Sequence, residues 1–147
     1  GGRAKPRDVT AEDLERVYAT NVLGLVRATP ALLPLLLQSE DPVIVNVASG
    51  LGSIAVVTDK SRLESQFPTI AYGSSKSAVT MLTVQYAKAF PELRINVVDP
   101  GYTATDLNGN RGTQTVMEGT DAIVKLATIG SDGPTGTFQD RNGTVPW

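Results

Sequence analysis

The chain has no histidine and no cysteine among its 147 residues. Without imidazole there is neither a Ser-His-Asp triad nor an HExxH zinc motif, which removes the base that most hydrolases use. Without thiols there is no disulfide and no thiolate metal site, and cysteine usage says nothing about a redox compartment. Charge of one sign is also scarce: a formal net charge of -2 leaves no basic footprint for nucleic acid. No uninterrupted apolar run reaches the ~18 residues of a membrane span, and no signal peptide opens the chain. A cytoplasmic location, with neither nucleic acid nor membrane as partner, is the expectation. No repeats and no low-complexity linker divide the chain. Its length suits one domain, and 41% hydrophobic content can support a core.

Against these absences stands Tyr72-Gly73-Ser74-Ser75-Lys76. It sets a phenol and an ammonium four residues apart where a helical pattern begins, so both fall on one helix face. A nearby cation favours the charged form of a tyrosine, which ordinarily ionises near pH ~10. The pair therefore suits acid–base work, with the phenol expected to ionise below its usual range. Taken alone, the spacing fits a partly buried tyrosine with a solvated lysine nearby better than a catalytic pair.

Other polar residues accompany the pair in order. Asn21 lies in Thr20-Asn21-Val22-Leu23-Gly24, and Ser49 ends the apolar run Val43-Ile44-Val45-Asn46-Val47-Ala48. Downstream comes Asn96-Val97-Val98-Asp99-Pro100-Gly101-Tyr102-Thr103-Ala104-Thr105. With these dispersed matches the chain resembles the short-chain dehydrogenase/reductase family nearly end to end. The resemblance places the family's catalytic tetrad on Asn21, Ser49, Tyr72 and Lys76, and its proline–glycine turn on Pro100 and Gly101. It implies a nicotinamide cofactor, NAD or NADP, held by Tyr72, Lys76, Pro100, Gly101, Thr103 and Thr105. Tyr72 would be the proton donor and acceptor, Ser49 a hydrogen-bond partner of the reacting oxygen, and Lys76 the ribose ligand. Asn21 would hold a water linking Lys76 to solvent. Metal plays no part. Asn46, Thr103 and Thr105 also suit purely local structural roles.

One family feature is missing. No glycine-rich TGxxxGIG turn is present, and Gly50-Leu51-Gly52 has Ala55 where a third glycine is needed. Gly1-Gly2-Arg3 stands about where the family's NNAG segment ends. The chain thus reads as the C-terminal, catalytic portion of a longer enzyme, with residues 1–147 forming a single partial Rossmann-like domain.

Hydrophobic periodicity supplies the elements. Thr10 can cap a helix with Asp13 at its third position, and Leu14, Val17, Tyr18, Asn21, Leu25, Ala28 and Leu32 follow helical spacing. Pro30 and Pro34 are expected to kink its second half. Val43–Val47 suits a strand buried on both faces. A second helix runs from near Tyr72 toward Phe90, with Ala78, Met81, Leu82, Tyr86 and Ala89 on one face. Arg94–Val98 reads as a strand, 115–128 as a helix and 135–138 as a last strand. Asn142-Gly143 reads as a turn rather than a glycosylation site. The alternation predicts an α/β fold: the C-terminal half of a doubly wound parallel sheet, about three strands with flanking helices and one uncovered edge.

Two function classes follow. One is an oxidoreductase acting on a small-molecule carbonyl or alcohol, complete only with a nucleotide-binding half. The other is a non-enzymatic fragment or interaction module that retains the tetrad. The segment from Ser53 to Thr69 reads as a surface loop; Val56, Val57, Phe67 and Ile70 either contact substrate there or merely decorate the surface. The resemblance implies a homo-oligomer, since in that family the two long helices carrying Asn21 and Tyr72 often form the subunit interface; Leu35-Leu36-Leu37 fits either that interface or the core.

Overall fold

The computed structural model describes residues 5–147, so the opening Gly1-Gly2-Arg3 lies outside the described residues. Helix α1 (Ala11–Asn21) starts at a reciprocal cap: Asp13 N–H donates to Thr10 Oγ1 at 3.2 Å, and Thr10 N–H donates to the Asp13 carboxylate at 3.2 Å. The chain breaks at Val22 and resumes as α2 (Leu23–Leu36). A kink was expected at Pro30 and Pro34, and α2 runs through both as helix. Each proline frees the carbonyl four residues earlier, on Val26 and Pro30, and both residues lie on the exposed side where water can satisfy them. Taken together, Ala11–Leu36 is long and apolar enough to span a membrane, with mean hydropathy 1.3. Here α1 packs instead on the helix that carries Tyr72.

Four strands form the sheet, in the order β1 (Val43–Val47), β2 (Arg94–Val98), β3 (Phe138–Asp140) and β4 (Gly143–Thr144). β1 pairs with β2 in parallel from Val43↔Arg94 to Val47↔Val98, and β3 pairs with β2 in parallel at Val97↔Phe138. β4 turns back antiparallel on β3, with Asp140 Oδ1 accepting from Asn142 N–H at 2.7 Å inside the turn. The connections are α3 (Ile54–Thr58) and α4 (Ile70–Ala89) between β1 and β2, and α5 (Val116–Ala127) before β3. The half of a doubly wound sheet is thus present, with one short antiparallel strand, β4, added to the expected three.

Four details differ from expectation. β1 is half-buried rather than buried on both faces, because it is the sheet edge; Val47 is 42% exposed. The fully covered strand is β2, where Ile95, Asn96, Val97 and Val98 have no exposure. The last parallel strand starts at Phe138, not at 135, because Gly136 sits at φ +68°. Pairing has already begun there, since Gly136 N–H donates to the Ile95 carbonyl at 2.8 Å.

The inward face of α4 is not the apolar one. Met81 is 59% exposed, whereas Ala71, Gly73, Ser75, Val79, Thr80, Thr83 and Ala87 are buried. Small and hydroxylated residues permit close approach. Their hydroxyls are satisfied on the helix itself, as Thr83 Oγ1 donates to the Val79 carbonyl at 2.8 Å. Finally, 53–69 is no free loop. Ser53 caps α3 and donates to the Pro146 carbonyl at 2.6 Å, and Ala55 N–H donates to the Trp147 carbonyl at 2.9 Å. Val56 joins Ala48, Val79, Val97, Phe138 and Val145 in a core cluster, so it is a packing residue. Truncating Phe138 to alanine there should cost ~3–5 kcal/mol.

Candidate active site

Parallel pairing brings the ends of β1 and β2 to one rim. Ser49 lies two residues beyond β1, in extended backbone at φ −170°, and its Oγ accepts from Leu51 N–H at 3.3 Å. The Pro100-Gly101 turn lies just beyond β2, and α4 returns to the same rim with Tyr72 in its first turn. Ser49, Tyr72 and Lys76 therefore converge because strand, turn and helix start share an edge of the sheet.

Burial pushes the Tyr72 phenol's pKa above the ordinary tyrosine value; the Ser49 side chain opposes that rise, and the Asp99 carboxylate adds to it. Lys76 Nζ lies over the Tyr72 ring at 5.6 Å from its centroid and donates to the Val47 carbonyl at 2.8 Å. Burial lowers the lysine's own pKa. The expected depression of the phenol by Lys76 is thus reversed. The ammonium faces the ring and a strand-end carbonyl, while a carboxylate and burial act on the phenol.

Asn21 closes α1 at the break, and its Nδ2 donates to Ser75 Oγ at 3.0 Å. Ser75 Oγ in turn donates to the Tyr72 carbonyl at 2.7 Å. Asn21 is thereby tied to the turn of α4 that presents Tyr72. Asn46 stays structural, donating to Thr83 Oγ1 at 3.0 Å.

Gly101 takes φ +70°, a conformation that L side chains avoid, and Gln114 Oε1 occupies the space a Cβ would need. Thr103 Oγ1 donates to the Pro100 carbonyl at 3.0 Å. Thr105 caps a 3-10 turn, Asp106–Asn108. Asn108 was not foreseen: its Nδ2 donates to the Thr103 carbonyl at 2.8 Å, and its Oδ1 accepts from Thr105 N–H at 3.3 Å.

Two openings border these residues, one beside Lys76 and one beside Ser49. A groove of about 470 Å³ runs along the β1 edge and α2, with Asn21, Val47 and Lys76 in its wall. A cleft of about 230 Å³ holds Ser49, Glu64, Phe67, Asp99, Gly101 and Tyr102. Of the four apolar residues considered in 53–70, only Phe67 is among that cleft's lining residues. Asp99 and Glu64 were missed as site residues. The signal for Asp99 was a carboxylate directly between an apolar strand and a Pro-Gly turn.

An open, mostly parallel α/β sheet with a serine, a tyrosine and a lysine at its carboxyl rim is the class defined by this geometry. The short chain dehydrogenase family model matches residues 1–116, and the chain belongs to that family. (+)-Neomenthol dehydrogenase of Capsicum annuum is 34% identical over 94% of this chain and 55% of its own length. (-)-Isopiperitenone reductase of Mentha piperita is 35% identical over 89% of this chain and 52% of its own. Among solved structures, NADPH-bound carbonyl reductase from chicken fatty liver superposes with a TM-score of 0.84 and 25% identity, over 98% of this chain and 61% of that one. Salutaridine reductase from Papaver somniferum gives 0.76 and 28%, over 92% and 59%. The chain spans about half the length of the curated relatives it matches.

Proposed function

We propose that this chain is the catalytic portion of an NAD(P)-dependent oxidoreductase of the carbonyl/alcohol type, with Tyr72 as its acid and base. The observation that carries the reading is the meeting of Ser49, Tyr72 and Lys76 at one sheet rim, with the Lys76 ammonium 5.6 Å from the Tyr72 ring centroid. Family membership and relatives named as dehydrogenases and reductases support it.

The residues present fit the nicotinamide end of such a cofactor. Lys76 has three N–H donors and uses one on the Val47 carbonyl, leaving two for ribose hydroxyls in the adjacent groove. The Thr103 carbonyl has a second lone pair beyond the one given to Asn108, and Thr105 lies beside it, so both suit a carboxamide. Pro100 and Gly101 shape that turn. When bound, the cofactor supplies the hydride.

Tyr72 donates its phenolic proton to the substrate oxygen in reduction and takes it back in oxidation. Its raised pKa keeps that proton available at neutral pH. Ser49 hydrogen-bonds the same oxygen and stabilises negative charge as it develops. Lys76 and Asn21 line one groove, where a water held by Asn21 would lead protons from solvent toward Lys76. A homo-oligomer in the cytoplasm completes the proposal: Leu32 and Leu35 of α2, Leu37 beside them and Met81 of α4 are all exposed.

The test is Tyr72→Phe in the protein with its nucleotide-binding half in place. Consumption of reduced NAD or NADP with an aldehyde or ketone is followed by absorbance, and cofactor affinity by fluorescence. Reduction should vanish while cofactor affinity stays near its original value. Retention of most of the turnover would remove Tyr72 from the role of proton donor.

A further inference from the structure

We propose that Asn108 is a positioning residue for the cofactor: its side-chain amide fixes the Thr103 carbonyl and the Thr105 backbone in the orientation that receives the nicotinamide carboxamide. The inference rests on the reading of Thr103 and Thr105 as carboxamide contacts.

The chain beyond the Pro100-Gly101 turn is held on one side by Gln114, which bridges Thr103 in parallel. Ala104 N–H donates to the Gln114 carbonyl at 2.8 Å, and Gln114 N–H donates to the Tyr102 carbonyl at 3.1 Å. Two glycines admit the same stretch. A Cβ at Gly112 would lie 2.2 Å from the Thr103 carbonyl carbon, and one at Gly119 would lie 2.3 Å from Thr103 Oγ1. Along extended backbone, successive residues bond to alternate sides. The Thr103 carbonyl and the Thr105 N–H therefore face away from Gln114, where no strand pairs with them.

Asn108 serves both groups. Its Nδ2 donates to the Thr103 carbonyl at 2.8 Å, and its Oδ1 accepts from Thr105 N–H at 3.3 Å. One backbone acceptor and one backbone donor decide which end of the amide is nitrogen. A parallel strand would present the same donor and acceptor across from Ala104, so the amide takes the place of one strand residue. The return of the loop is tied to the same residue: Oδ1 also accepts from Arg111 N–H at 3.2 Å, and Arg111 Nε donates to the Asn108 carbonyl at 2.9 Å. An ionised aspartate could not replace it, because a carboxylate only accepts and would set an oxygen against the Thr103 carbonyl. The consequence for the cofactor is directional. A carbonyl oxygen has two lone pairs near its peptide plane; with Asn108 on one, the direction of the other is fixed. The backbone of Thr103 and Thr105 is thereby set before any cofactor arrives, and no part of that ordering falls on the binding step.

The test is binding rather than turnover, by calorimetry on the protein with its nucleotide-binding half in place. The probes are NAD, NADP, and ADP-ribose with or without a 2′-phosphate, which lack the carboxamide. Asn108→Ala should weaken the preferred dinucleotide about tenfold, roughly what one hydrogen bond contributes. The matching ADP-ribose should bind as it does to the wild type. Asn108→Asp should weaken the dinucleotide as much at neutral pH and recover as pH falls toward ~4, because a protonated carboxyl again donates to Thr103. With no nucleotide present, trypsin should cut after Arg111 faster in Asn108→Ala than in the wild type, with the fragments identified by mass spectrometry. Equal loss of dinucleotide and ADP-ribose affinity would make Asn108 a general structural residue. Tighter dinucleotide binding in Asn108→Ala would make its amide a competitor of the carboxamide. Either result overturns the proposal, as does an Asn108→Asp affinity that ignores acid or a cutting rate that stays unchanged. A wild type that holds ADP-ribose as tightly as the dinucleotide would instead remove Thr103 and Thr105 as carboxamide contacts, and the proposal with them.

Discussion

Gly52→Ala should damage both stability and the site, because Gly52 is where the turn after Ser49 meets α4. A Cβ at Gly52 would lie 2.7 Å from the Lys76 carbonyl carbon, and 2.8 Å from both Lys76 Cβ and Ser77 N. Ordinary carbon–carbon contact needs about 3.5 Å, so roughly 0.8 Å must open between turn and helix. The obstruction is mostly backbone, which no rotamer change relieves. Overpacking of this kind costs ~1–3 kcal/mol. For a chain of this size a ~2 kcal/mol penalty lowers Tm by about 4–8 °C. The displaced segment carries Lys76 and adjoins Tyr72, so turnover should fall on the order of 100-fold for a shift approaching 1 Å. The control is Gly24→Ala in α2, where the nearest atom is the Ala19 carbonyl oxygen at 3.8 Å. With room for a methyl and a helical backbone, that change should stabilise by about 0.5–1 kcal/mol. Thermal unfolding followed by circular dichroism reads both signs. A Gly52→Ala variant melting with the wild type would show that turn and helix need no such intimacy, and the account of how Lys76 is placed would be wrong.

Ser49→Ala should lower turnover ~10²–10³-fold if its hydroxyl stabilises the reacting oxygen, with the cofactor Kd close to its original value in titration calorimetry. Lys76→Ala should impair both turnover and cofactor binding. Glu118 accepts from Thr115 N–H and pairs with Arg141, and its pKa falls from the ordinary 4.5 to about 2. A depressed carboxyl stabilises the fold above its unfolded pKa, so this contribution should be complete above pH 4.5 and lost as pH falls toward 2; melts across that window should show it, with a smaller loss in Arg141→Ala. This chain alone, without a TGxxxGIG turn, should bind NAD or NADP more weakly than micromolar in calorimetry. It should also self-associate in sedimentation, because β1 presents an unpaired edge beside the exposed leucines of α2.

What was legible in the sequence was local. β2 spans Arg94–Val98, the bounds read from the sequence, and α5 starts at the Thr115 cap that its Glu118 completes. Ser49, Tyr72 and Lys76 were legible from order along the chain, since a strand end and the following helix start must share a rim in a parallel sheet. The illegible parts depend on distant partners. Ser53 to Thr69 has a loop's composition, yet it is ordered by Pro146 and Trp147, more than ninety positions away. The inward face of α4 was misjudged because periodicity counts apolar residues, whereas Ser75 and Thr83 are buried by bonding their own helix and neighbours. Asp99 and Asn108 were missed although their bonds are local: each accepts from a backbone N–H two or three residues away, on Gly101 and Thr105, in turns that no motif announced.

That misjudged face also explains how the site is held. A helix with leucines toward the sheet would stand farther off. Gly73 instead admits the Leu51 carbonyl oxygen to 3.0 Å of its missing Cβ, and Gly52 admits the backbone of Lys76 from the other side. Two glycines and a row of hydroxyls let α4 settle against the turn after Ser49, which sets the Lys76 ammonium on the Val47 carbonyl. Hydrophobic burial is meagre along this contact, so its stability depends on fit rather than area. The first residues of α4 should therefore be more sensitive to one added methyl than its last turns, where Lys88 and Ala89 are exposed. Ala89→Val at that far end adds two methyl groups facing solvent and should change Tm by less than Gly52→Ala, which adds one against Lys76.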